Sequence, residues 1–301
     1  MNLVVGSTGR MGGEICHLLT AKGQPVRGMV RATSDPAKVD RLKAMGVQIV
    51  TGNLRDRGSL DAACRGVTKL ITMVTCVSSY QPGENDIQHC DLEGTTNLIE
   101  AARTAGVKHF VYVSFSGNID LDSPLRNAKR TVEQHLKDSE LSYTILRPSY
   151  YMESWLTAPL GFDPANAKAE IYGSGEKPIS WISLKDVAKF AVESLDHPAA
   201  RNATLELGGP EALTPHQVVK IFEEVGGRPF EVTHVPEAVL EAQQQAAPGE
   251  MKTRPVLKRC YAQGDSIDMR EMLKKFPMQL TTVQEYARQV LVPAQEVTMK
   301  P

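Results

Sequence analysis

The chain has 301 residues, 42% of them hydrophobic and 23% charged. That length allows one large domain or two modest ones with a substantial core, and the composition is that of an ordinary globular fold rather than a disordered or fibrous one. A formal net charge of −1 excludes the strong electrostatic pull of a nucleic-acid or anionic-membrane binder.

Residues 1–5, Met-Asn-Leu-Val-Val, read as a short buried strand. The turn Gly6-Ser7-Thr8-Gly9-Arg10-Met11-Gly12 follows, and residues 14–19 read as a helix. A bare glycine pattern is weak, because glycines also make plain turns. The order strand, glycine turn, helix is stronger: it gathers backbone N–H groups and a helix N-terminus at one spot, where a pyrophosphate binds. The spacing G-x-x-G-x-x-G is a variant of the better-known G-x-G-x-x-G. Strand and helix patterns then alternate: strands at 25–31, 47–51, 69–75, 109–114 and 143–147, and helices at 36–45, 59–64, 85–105 and 127–137. Alternation of this kind implies parallel strands with right-handed crossovers, and therefore an α/β doubly wound sheet. The runs at 70–74 and 110–113 are almost wholly apolar, as strands buried on both faces are.

The second half is richer in glycine and proline between 159 and 182. Ser183-x-x-Asp186 and Thr214-Pro215-His216-Gln217 are helix-start signals, the latter a capping box ending at Gly226-Gly227. A smaller substrate-covering lobe is expected from residue 151 to 301, after a nucleotide-binding domain at 1–150. A stretch at about 181–208, with a strand at 203–207, is expected to return to the main sheet. Residues 240–265 suggest a helix followed by a mobile loop, and Lys252, Arg254, Lys258 and Arg259 a solvated basic cluster on it. Five scattered cysteines without a C-x-x-C pair fit reduced thiols in the cytoplasm. The longest apolar run, near 70–77, is too short to span a bilayer, and no secretory leader is evident. The seven histidines show no metal-ligand spacing, and no metal is expected.

An acid normally follows the second strand where NAD is bound, to hold the ribose 2′-hydroxyl. Here Val30 is followed by Arg31, which would clasp a 2′-phosphate, with Arg10 placed to help. The expected cofactor is NADP(H).

Several motifs together carry a resemblance that covers essentially the whole chain. They are Gly6-x-x-Gly9-x-x-Gly12, Val30-Arg31, Gly52-Asn53-Leu54-x-Asp56, Val113-Ser114-Phe115-Ser116-Gly117, Lys129-x-x-x-Glu133, Thr144-Ile145-Leu146-Arg147-Pro148 and Trp181-Ile182-x-x-x-Asp186-Val187-Ala188. In these the chain resembles the NmrA-like NAD(P)-binding proteins, atypical short-chain dehydrogenases/reductases. The resemblance implies a Rossmann-type sheet with a small C-terminal substrate lobe. It implies cofactor contacts from Gly6, Thr8, Gly9, Arg10, Met11 and Gly12, with Asn53 and Leu54 beside the adenine, although the family usually has aspartate where Asn53 stands. Thr75 and Cys76 would line the ribose side and Pro148 would lie near the nicotinamide.

The wider short-chain group carries Tyr-x-x-x-Lys on one helical face, the tyrosine giving a proton to a carbonyl and the lysine lowering its pKa. Here Lys129 is present and Leu125 replaces the tyrosine. Lys129 falls on the apolar stripe Leu125, Val132, Leu136, so it is expected to face the sheet, as a cofactor or catalytic contact. Phenolic reductases of the family resemble this pattern of a lone lysine. Ser114 or Ser116 after the fifth strand, or Tyr151 or its neighbour Tyr150 after the sixth, could supply the missing hydroxyl at the carboxyl edge of the sheet. Asp186 reads as a helix-start residue. Two functions remain open. One is an NADPH-dependent reductase of a small electrophile such as a quinone or an aromatic or enone compound, working as a monomer or homodimer without nucleic-acid or membrane partners. The other is a non-catalytic NADP(H)-sensing regulator acting through a protein partner.

Overall fold

The computed structural model describes residues 1–77 and 79–291. The chain divides into two compact units. The first consists of Met1–Pro148, Leu184–Leu207 and Ala247–Thr253; the second of Ser149–Ser183, Gly208–Ala246 and the described residues from Arg254 on.

In chain order the first unit opens with β1 (Asn2–Val5), α1 (Arg10–Ala21), β2 (Val26–Val30), α2 (Pro36–Ala44), β3 (Gln48–Thr51), α3 (Arg57–Cys64) and β4 (Lys69–Thr72). A π-helical segment, Ile87–Gly94, runs directly into α4 (Thr95–Thr104), followed by β5 (His109–Val113), α5 (Pro124–Asp138) and β6 (Tyr143–Pro148). The second unit begins with α6 (Met152–Trp155), β7 (Phe162–Asp163) and β8 (Lys168–Tyr172). α7 (Leu184–Glu193) and β9 (Ala203–Leu207) return to the first unit. The remainder is α8 (Pro215–Gly226), β10 (Glu231–Val235), α9 (Glu237–Ala246), α10 (Thr253–Gln263), α11 (Arg270–Lys275) and α12 (Val283–Leu291).

The first unit is built on a seven-stranded sheet in the order β3-β2-β1-β4-β5-β6-β9. Every pair in it is parallel. The order reverses between β1 and β4, and ligands bind at the carboxyl ends of strands beside such a reversal. β4 and β5 supply Leu70, Ile71, Phe110, Val111 and Tyr112, all fully buried. One core layer joins Leu3, Val5, Leu70, Phe110, Tyr112 and Ile145 to Leu60, Leu98, Val132 and Leu136 from the helices.

The second unit has a small sheet in which β8 pairs in parallel with β10 and antiparallel with β7. Its core is aromatic: Trp155 stacks on Tyr261 at 5.6 Å, and Tyr150 meets Trp155 edge-on at 4.8 Å. α8 begins with the capping box read from Thr214 and Gln217 and ends at a left-handed Gly227. No described helix is long and apolar enough to cross a membrane.

Two elements differ from the sequence expectation. The helix expected at 85–105 is π-helical over its first eight residues. There the Thr95 hydroxyl bonds the Cys90 carbonyl at 3.1 Å, and Asp91 is drawn into the interior, with none of its surface exposed. The mobile loop expected within 240–265 is instead largely α10. Val256, Cys260 and Tyr261 are buried along it, so tertiary burial outweighs a weak local pattern. Of the basic cluster, Lys252 and Arg254 are exposed as expected, whereas the Lys258 ammonium sits 4.4 Å over the Tyr172 ring and Arg259 donates to Gln244.

Candidate active site

The glycine turn forms a tight cradle at the carboxyl end of β1. Gly6 takes a φ of +93°, open to glycine at little steric cost. Gly9 donates to the Gly6 carbonyl at 3.0 Å and is the N-cap of α1. Gly12 packs so closely that an added Cβ would lie 2.1 Å from the Gly6 oxygen. The Ser7 hydroxyl donates to the Met29 carbonyl at 2.8 Å and ties the turn to β2. No side chain caps α1, and its first turn holds no acid. The helix therefore leaves its first N–H groups, and the positive end of its dipole, to an anion. Thr8 is half-buried, Met11 is buried, and Arg10 is exposed at the first helical position. Arg31 is exposed just beyond β2, its N–H held by the Ser34 hydroxyl at 2.9 Å. A turn with no room for a side chain at Gly12, an uncapped helix and cations in place of an acid fit the diphosphate and 2′-phosphate of NADP(H).

Asn53 and Leu54 follow β3. Asn53 is exposed, and its side-chain oxygen accepts from the Arg55 N–H at 3.0 Å; Leu54 is half-buried against the core. Thr75 is exposed and Cys76 fully buried at the exit of β4. Burial, followed by the nearby Asp91 carboxylate, raises the Cys76 thiol well above the ordinary range, so it is neither a thiolate nor a nucleophile at neutral pH. Pro148 closes β6, and its carbonyl accepts from the Ser116 N–H at 2.8 Å.

Lys129 lies on α5 beside Leu125, both buried. Its ammonium donates to the Val74 carbonyl at 3.1 Å and lies 3.0 Å from Asp91 Oδ1. The second oxygen of Asp91 accepts from the Cys76 N–H at 3.0 Å. Tyr112 of β5 turns its ring to within 5.3 Å of Nζ. The Asp91–Lys129 contact is one of charge rather than an aligned hydrogen bond. Oδ1 and the Tyr112 hydroxyl both lack a hydrogen-bond partner among the described residues. Burial works against the charged lysine, but Tyr112, Asp91 and Cys90 outweigh it and raise its pKa above the usual lysine value.

Ser114 and Ser116 follow β5, but they are occupied. The Ser114 hydroxyl donates to Glu133 at 2.5 Å, and the Ser116 hydroxyl accepts from the Asn118 N–H at 3.2 Å. Glu133 also pairs with Arg130 at 2.6 Å and with Arg147. Arg130 donates in turn to the carbonyls of Phe115 and Ser116 at 3.2 and 2.8 Å. The two serines thus belong to a charge network that holds the loop after β5.

Tyr150 and Tyr151 belong to the second unit. The Tyr150 hydroxyl donates to the Leu257 carbonyl at 3.3 Å, within the aromatic core. Tyr151 is half-buried and forms a bridge with Ile182. Burial, with Glu153 nearby, raises its phenol far above the ordinary value. Asp186 lies buried in the first turn of α7 and pairs with Lys189 at 2.8 Å. Among the described residues no cluster of His, Cys, Asp or Glu is arranged for a metal.

Two members of the Lys129 cluster escape a sequence reading. Asp91 stands four residues after Ile87 and seven before Leu98, an acid on an apolar stripe, which was the available signal. Tyr112 looks like any strand residue until the fold brings α5 over it.

The description of the NmrA-like family matches residues 2–287. An NAD(P)H azoreductase of Xenophilus azovorans is 33% identical over 252 residues, 83% of this chain and 81% of that protein. The photosystem II assembly factor Ycf39 of Synechocystis sp. is 30% identical, over 79% of this chain and 71% of its own. The fold is shared with an NADPH-dependent quinone oxidoreductase of Escherichia coli, solved with NADPH, at 24% identity and a TM-score of 0.76, covering 96% of this chain and 99% of that one. With its glycine cradle, its seven-stranded sheet and a match along nearly its whole length, the chain belongs to the NmrA-like family.

Proposed function

We propose that this protein is an NADPH-dependent oxidoreductase that reduces a small electrophile, a quinone or a related aromatic or enone compound. The observation that carries this is the phosphate cradle, with α1 uncapped and Arg31 where an NAD-binding chain has an acid. Similarity to an NAD(P)H azoreductase supports the reaction type. The bound nicotinamide supplies the hydride. The chain's own residues bind and orient: the turn at Gly6–Gly12 takes the diphosphate, Arg31 and Arg10 the 2′-phosphate, and Lys129 presents a cation at the exit of β4. Asn53 and Leu54 border the adenine, Thr75 and Cys76 the ribose side, and Pro148 the nicotinamide. A quinone accepts hydride without a strong acid beside it, which suits a chain with Leu125 where the wider group has tyrosine.

The test is NADPH oxidation against a panel of quinones, azo compounds and enals, with NADPH binding measured separately by its fluorescence. Turnover with at least one class, and preference for NADPH over NADH, are expected. Similarity to a photosystem II assembly factor favours a second reading, a regulator that binds NADP(H) and acts through a protein partner. Tight NADPH binding with no turnover on any substrate would establish that reading in place of the first.

A further inference from the structure

Lys129 is caught between three elements in a way that decides what it can do. α5 carries it, the exit of β4 offers the Val74 carbonyl, and the π-helical segment offers Asp91. Only 4% of the Lys129 side chain and none of the Asp91 side chain is exposed. A π-helical stretch is uncommon and gathers at functional sites. Here it turns Asp91 inward, where one oxygen is fixed by the Cys76 N–H and the other faces the ammonium. The titratable groups facing Lys129 are Tyr112 of β5 and Asp91 and Cys90 of the π-helical segment. Glu133 bears on Tyr112, and Arg31 and Asp86 on Cys90. Burial pushes both Tyr112 and Cys90 up to about 12, so both are neutral at physiological pH. The one full negative charge against the ammonium is Asp91.

We propose that Asp91 is a positioning residue that holds Lys129 at the β4 exit as a permanent cation. Lys129 then acts as a fixed charge and N–H donor, and the proton that completes the product comes from water. The Val74 carbonyl accepts one N–H of the ammonium and Asp91 Oδ1 stands against it as a counter-charge, so the cation is held in place to serve a ligand hydroxyl or a developing oxyanion. A quinone that accepts a hydride becomes a hydroquinone monoanion. Its oxygen takes one proton from water, and Lys129 keeps all of its own. This rests on the reductase reading for the proton but not for the positioning, and the test separates the two.

Asp91→Asn retains an acceptor for the Cys76 N–H but removes the one full negative charge that offsets burial, so the Lys129 pKa should fall. The wild-type rate with a quinone should be flat through the alkaline range where a lysine acid would titrate. Asp91→Asn should acquire a limb there, falling about tenfold per pH unit above the lowered lysine pKa. NADPH affinity, read by fluorescence without any substrate, should show the same new pH dependence, so positioning is testable even if nothing is reduced. Asp91→Glu keeps the charge and should keep the flat profile with a lower kcat. If Asp91→Asn does not fold, Asp91→Asn with Lys129→Met should restore folding, because the unpaired charge is gone. A flat profile in folded Asp91→Asn overturns the proposal, as does a lysine-like limb in the wild type.

Discussion

Gly12 has the strictest steric requirement in the cradle. An alanine there would put its Cβ 2.1 Å from the Gly6 oxygen and 2.9 Å from Ser7 Cα. Backbone cannot yield as a flexible side chain can, so Gly12→Ala should push α1 away from the turn and weaken NADPH binding by at least about tenfold, on the order of the loss of one charged hydrogen bond. Fluorescence titration reads the affinity and thermal melting the accompanying fall in stability. Arg31 makes the opposite kind of contribution. It is exposed and closes no core contact, so Arg31→Asp should leave Tm nearly unchanged. A reversed charge opposite the 2′-phosphate should weaken NADPH binding by about 10–100-fold, the worth of a charge-assisted hydrogen bond. NADH binding should hardly move, and equal losses for both nucleotides would contradict the assignment.

At the scale of elements, α5 does two jobs from one helix. Lys129 and Glu133 are four residues apart and so share a face, yet their partners differ. Lys129 joins the β4 exit and the π-helical segment. Glu133 gathers Ser114, Arg130 and Arg147, and Arg147 continues to Glu206 of β9 at 3.1 Å. The Glu206 carboxylate then accepts from the Gly117 N–H at 2.9 Å. Burial disfavours the Glu133 carboxylate, but bonds from Arg147 and Ser114 and the Arg130 charge outweigh it and lower its pKa. Glu133→Gln should leave two arginines poorly compensated and cost about 3–5 kcal/mol, the range for breaking a buried pair. Urea unfolding measures it. By contrast, Thr214→Ala removes a helix cap and should lower stability by only about 1 kcal/mol, which makes it a useful comparison.

At the scale of the whole molecule, stability should fall on the acid side partly through His109. Its ring nitrogens lie 2.9 Å from the Ser142 hydroxyl and 3.0 Å from that of Thr144. Burial, with Arg201 and Lys69 nearby, lowers its pKa to about 4. The folded protein thus keeps this ring neutral where the unfolded chain, near 6.5, already takes a proton. The contribution is complete above the unfolded value and is lost as pH falls toward the folded one, by about 2 kcal/mol between neutral pH and pH 4.5. His109→Asn should remove that part of the acid limb, as denaturant unfolding at the two pH values would show. The parallel sheet, the glycine turn, the capping box at Thr214 and the arginine after β2 were all legible in the sequence. Each depends on residues close together in the chain, through hydrophobic period, turn geometry or a helix end. The stripe of α5 also told that Lys129 faces inward. What the sequence left undetermined arises from contacts across long separations. Asp91 is 38 positions from Lys129 and Tyr112 lies on another strand, so only the folded sheet could pair them. Ser114 looked free for chemistry until β5 brought it against Glu133. α10 became a helix because its apolar side found a core, not because its own sequence insisted. Local patterns therefore determined the glycine cradle and the helix that opens from it, while the packed interior decided which charges meet, since burial and pairing exist only once distant segments exclude water together.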